Sequence, residues 1–261
     1  MKEKIKIGFF DSGAGGISVM AYARQEIKNA EYIFYADTDH VPYGEKKPEQ
    51  VIEYSIDGVK CLIEHGADIV VVACNTATSM AIDTLRKMYS IPIIGMEPAV
   101  KPASIMHHGE KILVCATPLT IAGKKLHDLI DKNYNNDTPP TLVAAPKLVT
   151  YAENAVFDID TVTGYLKEII DKNEGYTAVV LGCTHFAYFR DSFRAYLGDI
   201  DIIDGTEGTV KRLKYMMESI GTVPTSDGKA DDAEYIVSGR EVSDPQKLEY
   251  FHMLENRALL K

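Results

Sequence analysis

Two short segments of the chain each place a cysteine directly after an apolar run. The first reads VVVACNTAT (70–78) and the second VVLGCTHFA (179–187), so Cys74 and Cys183 are each followed by small polar residues. A free cysteine most often packs as a small hydrophobic residue, and for either cysteine alone that interpretation is favoured. Two cysteines in parallel positions, each with polar residues after it, favour a chemical role instead.

Two opposed thiols suit the removal of a proton from a carbon and its return from the other side. One base cannot readily serve both faces of a carbon, whereas an ionised group on one face and a protonated group on the other can. A thiol has an ordinary pKa of about 8.5, and a helix N-terminus is expected to lower the pKa further. The flanking Asn75, Thr76 and Thr184, with nearby backbone N–H groups, can hold a carboxylate.

Asp11 and His185 are candidate acid–base groups beside these cysteines. Asp11 follows the apolar run IGFF and leads into Ser12. It is either a capping or turn carboxylate or a partner for a cysteine or a substrate ammonium, and the local sequence leaves both open. His185 is either a hydrogen-bonded histidine at a helix start or an acid–base group that assists Cys183.

Two glycine-containing turns have less specific signals. Tyr43 and Gly44, in VPYG, form either a plain turn or part of a cleft lining. The glycines of 13–16 do not match the GxGxxG dinucleotide pattern, because Ser18 stands where the last glycine is required. They favour a tight turn with close backbone approach.

The elements that must position these residues alternate between apolar runs and helix-like stretches. This alternation predicts an α/β fold with largely parallel sheets, in which ligands bind at the carboxyl ends of the strands. A polar loop is predicted at 226–234, and a short strand, a turn and an amphipathic helix at 235–260. Strands are predicted at 4–10, 32–37, 69–73, 91–95, 111–116, 141–146, 178–182 and 200–204. Helices are predicted at 16–29, 48–65, 76–89, 119–132, 159–173, 184–197 and 206–219.

The polar turns that follow the predicted strands suggest an internal repeat. Asp11 precedes Cys74 by nearly the same distance along the chain as Thr117 precedes Cys183. The repeat is one of topology, since the side chains themselves differ. We therefore expect two similar α/β halves that face each other and bring both cysteines to one cleft.

Composition and charge exclude several classes of protein. The formal net charge of −10 argues against a general electrostatic grip on nucleic acid. The absence of a long apolar run and of a signal-like N-terminus predicts a cytoplasmic protein with no membrane contact. The four cysteines form no CxxC pair, so neither a metal site nor a disulfide scaffold is expected. Cys61 and Cys115 are interpreted as packing residues.

Five motifs in order resemble the glutamate racemases of the aspartate/glutamate racemase family. The tail YIVSGREVSDPQKLEYF (235–251) is similar to the usual end of that family, so the resemblance covers nearly the whole chain. After LGCTH the family usually has Tyr-Pro, where this chain has Phe186 and Ala187. The motifs are FDSGAGG (10–16), YADTDHVPYGEK (35–46), VACNTAT (72–78), IGMEPA (94–99) and LGCTH (181–185).

The resemblance implies a racemase that needs no cofactor and supplies D-glutamate for peptidoglycan. It implies two α/β domains with the active site between them, for which we expect bounds of 1–97 plus 208–261 and 98–207. It also favours a homodimer. Aspartate and hydantoin racemases of the same superfamily share the two cysteines but have different surrounding motifs, so the resemblance favours glutamate, with aspartate as the alternative substrate.

The resemblance also assigns roles to residues. Cys183 is expected to remove the α-proton of L-glutamate and Cys74 to protonate the other face, with the roles reversed for D-glutamate. Asp11 should assist Cys74, His185 should assist Cys183, and Glu153 falls where the family often has a glutamate near the site. The implied substrate-binding residues are Asp11, Ser12, Tyr43, Gly44, Asn75, Thr76, Thr117, Thr120, Thr184 and His185.

Two other functions remain open from the residues alone. A thiol hydrolase that uses Cys183 and His185 would form an acyl-enzyme and leave Cys74 dispensable. A non-catalytic amino-acid sensor could use the same fold. The paired cysteines argue against a sensor, because binding a carboxylate needs hydrogen-bond donors and not thiolates.

Overall fold

The strands in the described part of the chain form two separate sheets. The structure is a computed structural model that describes residues 4–134 and 138–259. Residue 260, the end of the predicted tail, lies outside that part. The described strands are β1 (Ile5–Asp11), β2 (Ala30–Ala36), β3 (Ile69–Val72), β4 (Ile93–Gly95), β5 (Ile112–Ala116), β6 (Thr141–Ala144), β7 (Ala178–Gly182), β8 (Asp201–Asp204), β9 (Glu234–Val237) and β10 (Arg240–Glu241).

The two sheets repeat one arrangement of strands. The first has the order β10-β9-β2-β1-β3-β4 and the second β6-β5-β7-β8. Every pairing is parallel except that of β10 with β9. The series β2-β1-β3-β4 and β6-β5-β7-β8 correspond strand for strand, so β1 is equivalent to β5 and β3 to β7. The predicted α/β fold with two similar, largely parallel halves is confirmed.

Helices connect the parallel strands, as such crossovers require. The described residues also form three short 3₁₀ helices, at Tyr43–Glu45, Lys172–Glu174 and Thr184–Phe189. The described α-helices are α1 (Ile17–Glu26), α2 (Pro48–Glu64), α3 (Asn75–Met88), α4 (Val100–Met106), α5 (Pro118–Ala122), α6 (Lys124–Asn133), α7 (Pro146–Glu153), α8 (Ile159–Ile169), α9 (Arg190–Leu197), α10 (Thr206–Ser219) and α11 (Pro245–Ala258).

The structure differs from the sequence predictions mainly in the second half. Helices α4 and α7 were not predicted, and the predicted strand 141–146 runs over Pro146, which in fact begins α7 as a first-turn proline. The predicted helix 119–132 is two helices that meet at Gly123, where the backbone is extended. The predicted helix 184–197 begins as the 3₁₀ helix Thr184–Phe189. The strand and helix predicted for the tail are present as β9 and α11.

One buried apolar cluster contains residues of both sheets. Phe9 and Phe34 of the first sheet belong to it, as do Leu113 and Leu181 of the second. The central strands β1, β3, β5 and β7 are buried along almost their whole length, as strands covered by helices on both sides of a sheet should be. In the described part of the chain, no helix is long and apolar enough to cross a membrane.

Candidate active site

Cys74 lies just past the carboxyl end of β3 and forms the N-cap of α3. Its Sγ accepts the Ala77 N–H at 3.4 Å and lies 3.4 Å from the Ser12 Oγ. Burial, and to a smaller extent the charge of Asp11, raise the pKa of the Cys74 thiol to about 12, although Ser12 and Ala77 oppose the shift. The Ala77 N–H at the helix N-terminus lowers this pKa as expected, but burial outweighs it, so the net shift is opposite to the predicted one.

Asp11 ends β1 and is completely buried. Its carboxylate accepts the Gly13 N–H at 3.0 Å and, across the two halves, the Thr184 hydroxyl at 3.0 Å. Burial raises the pKa of Asp11 to about 6, against the lowering effect of these donors. The Ser12 Oγ is 3.5 Å from the Asp11 Oδ1, so Ser12 bridges Asp11 and the Cys74 sulfur.

Cys183 follows β7 and has a different set of neighbours. Its Sγ lies 3.7 Å from the His185 Nδ1, and the His185 Nε2 lies 2.6 Å from the Glu153 Oε1. Burial disfavours a charged imidazole, but Cys183 and Glu153 outweigh burial and raise the pKa of His185 well above its ordinary value. Burial would also raise the pKa of Glu153, yet the hydrogen bond from His185 holds it below its usual range.

Glu153 also joins the two halves. The Ala14 N–H, in the turn after β1, donates to the Glu153 Oε1 at 2.7 Å. Glu153 is the last residue of α7, a helix that the sequence did not predict. Only the family resemblance pointed to it, since 139 residues separate it from Ala14 and no local pattern marks it.

Three buried threonine hydroxyls meet at the junction of the halves. The Thr76 Oγ1, in α3, lies 2.9 Å from the Thr117 Oγ1 and 3.2 Å from the Thr120 Oγ1. Thr117 also caps α5 by accepting the Thr120 N–H. Gly44 packs directly on this cluster, because a Cβ at Gly44 would lie 2.5 Å from the Thr117 Cβ. This close approach explains why a glycine stands there.

The structure places Tyr43 and Asn75 in buried positions beside this cluster. The Tyr43 hydroxyl donates to the Asp37 Oδ2 at 2.6 Å, so Asp37 fixes the loop that carries Tyr43. The Asn75 Nδ2 donates to the Met96 carbonyl at 3.3 Å, while the Asn75 Oδ1 accepts no hydrogen bond. A buried amide oxygen without a partner is available to a donor on a ligand.

Most candidate residues thus gather at the carboxyl ends of β1, β3, β5 and β7. Tyr43 and Gly44 reach the same region from the segment after β2, and Glu153 reaches it from α7. Within 4–134 and 138–259, no three His, Cys, Asp or Glu side chains are grouped so that they could hold a metal ion. Two buried thiols at equivalent strand ends, each with its own polar assistant, form an arrangement suited to an enzyme that moves protons on carbon.

The chain belongs to the Asp/Glu/Hydantoin racemase family, whose model matches residues 18–213. Members of the family are isomerases, so the enzyme class predicted from the motifs is confirmed. The chain is 46% identical to the glutamate racemase of Campylobacter concisus over 250 residues, which cover 94% of each chain. It is 44% identical to the glutamate racemase of Lachnospira eligens over 97% of each chain.

Solved structures show the same fold. The crystal structure of the Escherichia coli glutamate racemase, in complex with L-glutamate and the activator UDP-MurNAc-Ala, superposes with a TM-score of 0.83 at 26% identity. The match covers 97% of this chain and 95% of that one.

Proposed function

We propose that this protein interconverts L- and D-glutamate, with Cys74 and Cys183 as bases on opposite faces of the α-carbon. The observation that carries the proposal is the equivalent placement of the two thiols after β3 and β7, each beside a separate polar assistant. The Campylobacter concisus and Lachnospira eligens relatives, 46% and 44% identical to this chain, are glutamate racemases.

The first step with L-glutamate is removal of the α-proton by Cys183. The proton passes from the α-carbon to the Cys183 Sγ, and the electron pair stays on the α-carbon and spreads into the neighbouring carboxylate. A charged His185, 3.7 Å from this sulfur, stabilises the thiolate before the transfer. Glu153 stabilises the charge of His185 through the 2.6 Å contact.

The second step delivers a proton to the other face. Cys74 suits this step because burial keeps the pKa of its thiol at about 12, so that the group is protonated near neutral pH. It gives its proton to the α-carbon and becomes a thiolate. Ser12 and Asp11 then return a proton toward Cys74, because Ser12 contacts both groups and Asp11, with its pKa near 6, exchanges protons close to neutral pH.

The hydroxyls and amides around the cysteines serve to bind substrate. The hydroxyls of Thr76, Thr117 and Thr120 supply donors for carboxylates and for the negative charge that develops in the transition state. Thr184 belongs to the same proposed set, and its hydroxyl orients Asp11. The Asn75 Oδ1, which has no partner, can accept the substrate ammonium. Ser12, Tyr43, Gly44, Asp11 and His185 complete the proposed binding set.

Several wider features belong to the same proposal. We infer that no cofactor takes part, that the product supplies peptidoglycan synthesis, and that the protein is a cytoplasmic homodimer. The domain bounds 1–97 plus 208–261 and 98–207 are also part of it. They are supported by the way in which the strands of the two sheets divide along the chain.

Proton NMR in D₂O tests the proposal directly, with L-glutamate and L-aspartate in parallel tubes and no cofactor added. We expect the α-proton signal of glutamate alone to disappear while its optical rotation decays. A preparation of the Cys74→Ala, Cys183→Ala double variant controls for contaminating enzymes. Exchange in aspartate alone would keep the mechanism and change the substrate, and exchange in neither would favour the hydrolase or the sensor.

A further inference from the structure

Tyr188 places a buried phenol at the junction of the two halves. Its hydroxyl donates to the Ala14 carbonyl at 2.8 Å and contacts the Gly15 carbonyl at 3.2 Å. Phe186 and Phe189, in the same 3₁₀ helix, are also buried, and their side chains have no polar atom. Burying a hydroxyl costs free energy unless the hydroxyl forms a hydrogen bond. The hydroxyl of Tyr188 therefore serves the contact with the turn after β1.

That turn carries groups of the first half that the proposed mechanism uses. It holds Asp11 and Ser12, and the Thr184 hydroxyl and Glu153 already contact it from the second half. The contact is tight, since a Cβ at Gly15 would lie 2.4 Å from the Thr184 Oγ1. A small displacement of the turn would thus change how Asp11 and Ser12 align with Cys74.

We propose that Tyr188 is a positioning residue that holds the turn of 11–16 against the segment carrying Cys183 and His185. In this way it keeps the two acid–base groups in register across the substrate. The inference rests on the proposed racemase function. The hydroxyl of Tyr188 forms its hydrogen bonds with the Ala14 and Gly15 carbonyls and not with either thiol. It therefore acts through the backbone of the turn.

The hydroxyl of Tyr188 is not needed to hold the aromatic ring in place. The Tyr188 carbonyl accepts the Arg257 Nε at 2.8 Å, and its ring packs edge-on against Phe157. The carbonyls that it contacts have other donors, because Ile17 N–H reaches Ala14 and Ser18 reaches Gly15. A Tyr188→Phe variant therefore leaves no buried carbonyl without a partner, and we expect it to fold.

The test compares Tyr188→Phe with Tyr196→Phe. The Tyr196 hydroxyl donates to the Ile170 carbonyl at 2.6 Å, entirely within the second half, so this control loses the same kind of bond away from the junction. We expect Tyr188→Phe to lower kcat about fivefold, the effect of one lost hydrogen bond, with KM changed less than about twofold. Tyr196→Phe should retain wild-type kinetics.

Two further readouts separate positioning from general loss of stability. Amide hydrogen exchange of residues 11–18 should become faster in Tyr188→Phe and stay unchanged in Tyr196→Phe. During turnover in D₂O, Tyr188→Phe should also place more deuterium in unreacted glutamate relative to product. A misaligned second thiol prolongs the life of the carbanion, so that the Cys183 thiol has time to exchange its protium with D₂O and to return a deuteron to the face from which the proton left.

The outcomes are distinct. Wild-type kinetics and wild-type amide exchange in Tyr188→Phe would overturn the proposal, as would equal losses in both variants. Failure of the wild-type protein to exchange the α-proton of glutamate would instead contradict the proposed function. The faster amide exchange expected at residues 11–18 of Tyr188→Phe would still be measurable in that case, so the contact is tested independently of activity.

Discussion

The two cysteine sites occupy equivalent places in the fold but have different chemical surroundings. Cys74 caps a regular α-helix and contacts an N–H group and a serine hydroxyl. Cys183 leads into a 3₁₀ helix, provides no cap, and lies beside His185. The repeat has therefore preserved the position of the thiol at the strand end, while the groups that assist each thiol are different.

The two substrates of the proposed reaction are mirror images of each other, but the site that binds them is not symmetric. Different surroundings for the two thiols suit such a reaction. In one direction Cys183 must begin as the thiolate and Cys74 as the thiol, and the chain assists these states differently. Burial and the nearby Asp11 favour the thiol form of Cys74, whereas the positive charge of His185, which Glu153 stabilises, favours negative charge on the neighbouring sulfur. The equivalence of the two thiols and the inequality of their assistants can each be tested.

The largest effect is expected from the cysteines themselves. Cys74→Ala and Cys183→Ala should each lower the rate of glutamate racemisation by about 10³-fold, because each removes one of the two proton-transfer groups. The rate is measured by optical rotation from both enantiomers. Cys61→Ala, at a partly buried position on α2, serves as the matched control and should keep wild-type activity.

Unequal losses would contradict the two-base mechanism. Near wild-type racemisation by Cys74→Ala beside an inactive Cys183→Ala variant would mean that Cys183 and His185 serve both faces of the α-carbon.

A smaller effect is expected from Glu153→Gln, which tests only the Cys183 side. Glutamine can still accept the Ala14 N–H but no longer stabilises a charged His185, so the burial penalty acts on His185 unopposed by that carboxylate. We expect kcat/KM to fall about 30-fold and the alkaline limb of its pH profile to move down by about one pH unit.

The control for this prediction is Glu168→Gln. Glu168 pairs with Lys147 on the surface, so its loss should leave the pH profile unchanged. An unchanged alkaline limb in Glu153→Gln would mean that the charge of His185 does not depend on Glu153.

The predictability of the site from sequence follows the range of the interactions. A strand end and the polar residue after it form a local sequence pattern. Asp11, Cys74 and Cys183 could therefore be predicted from the apolar runs that precede them. Burial depends on the whole fold and not on the local sequence. For that reason the predicted direction of the Cys74 pKa shift was wrong. Tyr188 contacts Ala14 across 174 residues of sequence, and no pattern within either segment indicates that they meet.

The smallest effect, on stability, concerns the carboxylate on the Cys74 side. Burial raises the pKa of Asp11 from 3.8 to about 6, so protonated Asp11 stabilises the fold below about pH 4 and this contribution is lost as the pH rises through 6. A shift of about two units corresponds to at most about 3 kcal/mol. Asp11→Asn removes the buried charge but weakens the hydrogen bonds from Gly13 and Thr184, which offsets much of the gain.

We therefore expect Asp11→Asn to raise the free energy of unfolding by about 1 kcal/mol at pH 8, with the difference shrinking toward pH 4. Urea unfolding at pH 4.5, 6 and 8 measures it. Glu153→Gln should do the opposite, because the lowered pKa of Glu153 means that its ionised form stabilises the fold above its ordinary pKa and that this stability is lost on acidification. If the free energy of unfolding had the same pH dependence in both variants, the two sites would not differ in this respect. Burial would then destabilise one ionised carboxylate no more than the other. Opposite trends would mean that the Cys74 side keeps a destabilised carboxylate for proton exchange, at the expense of stability that the Cys183 side retains.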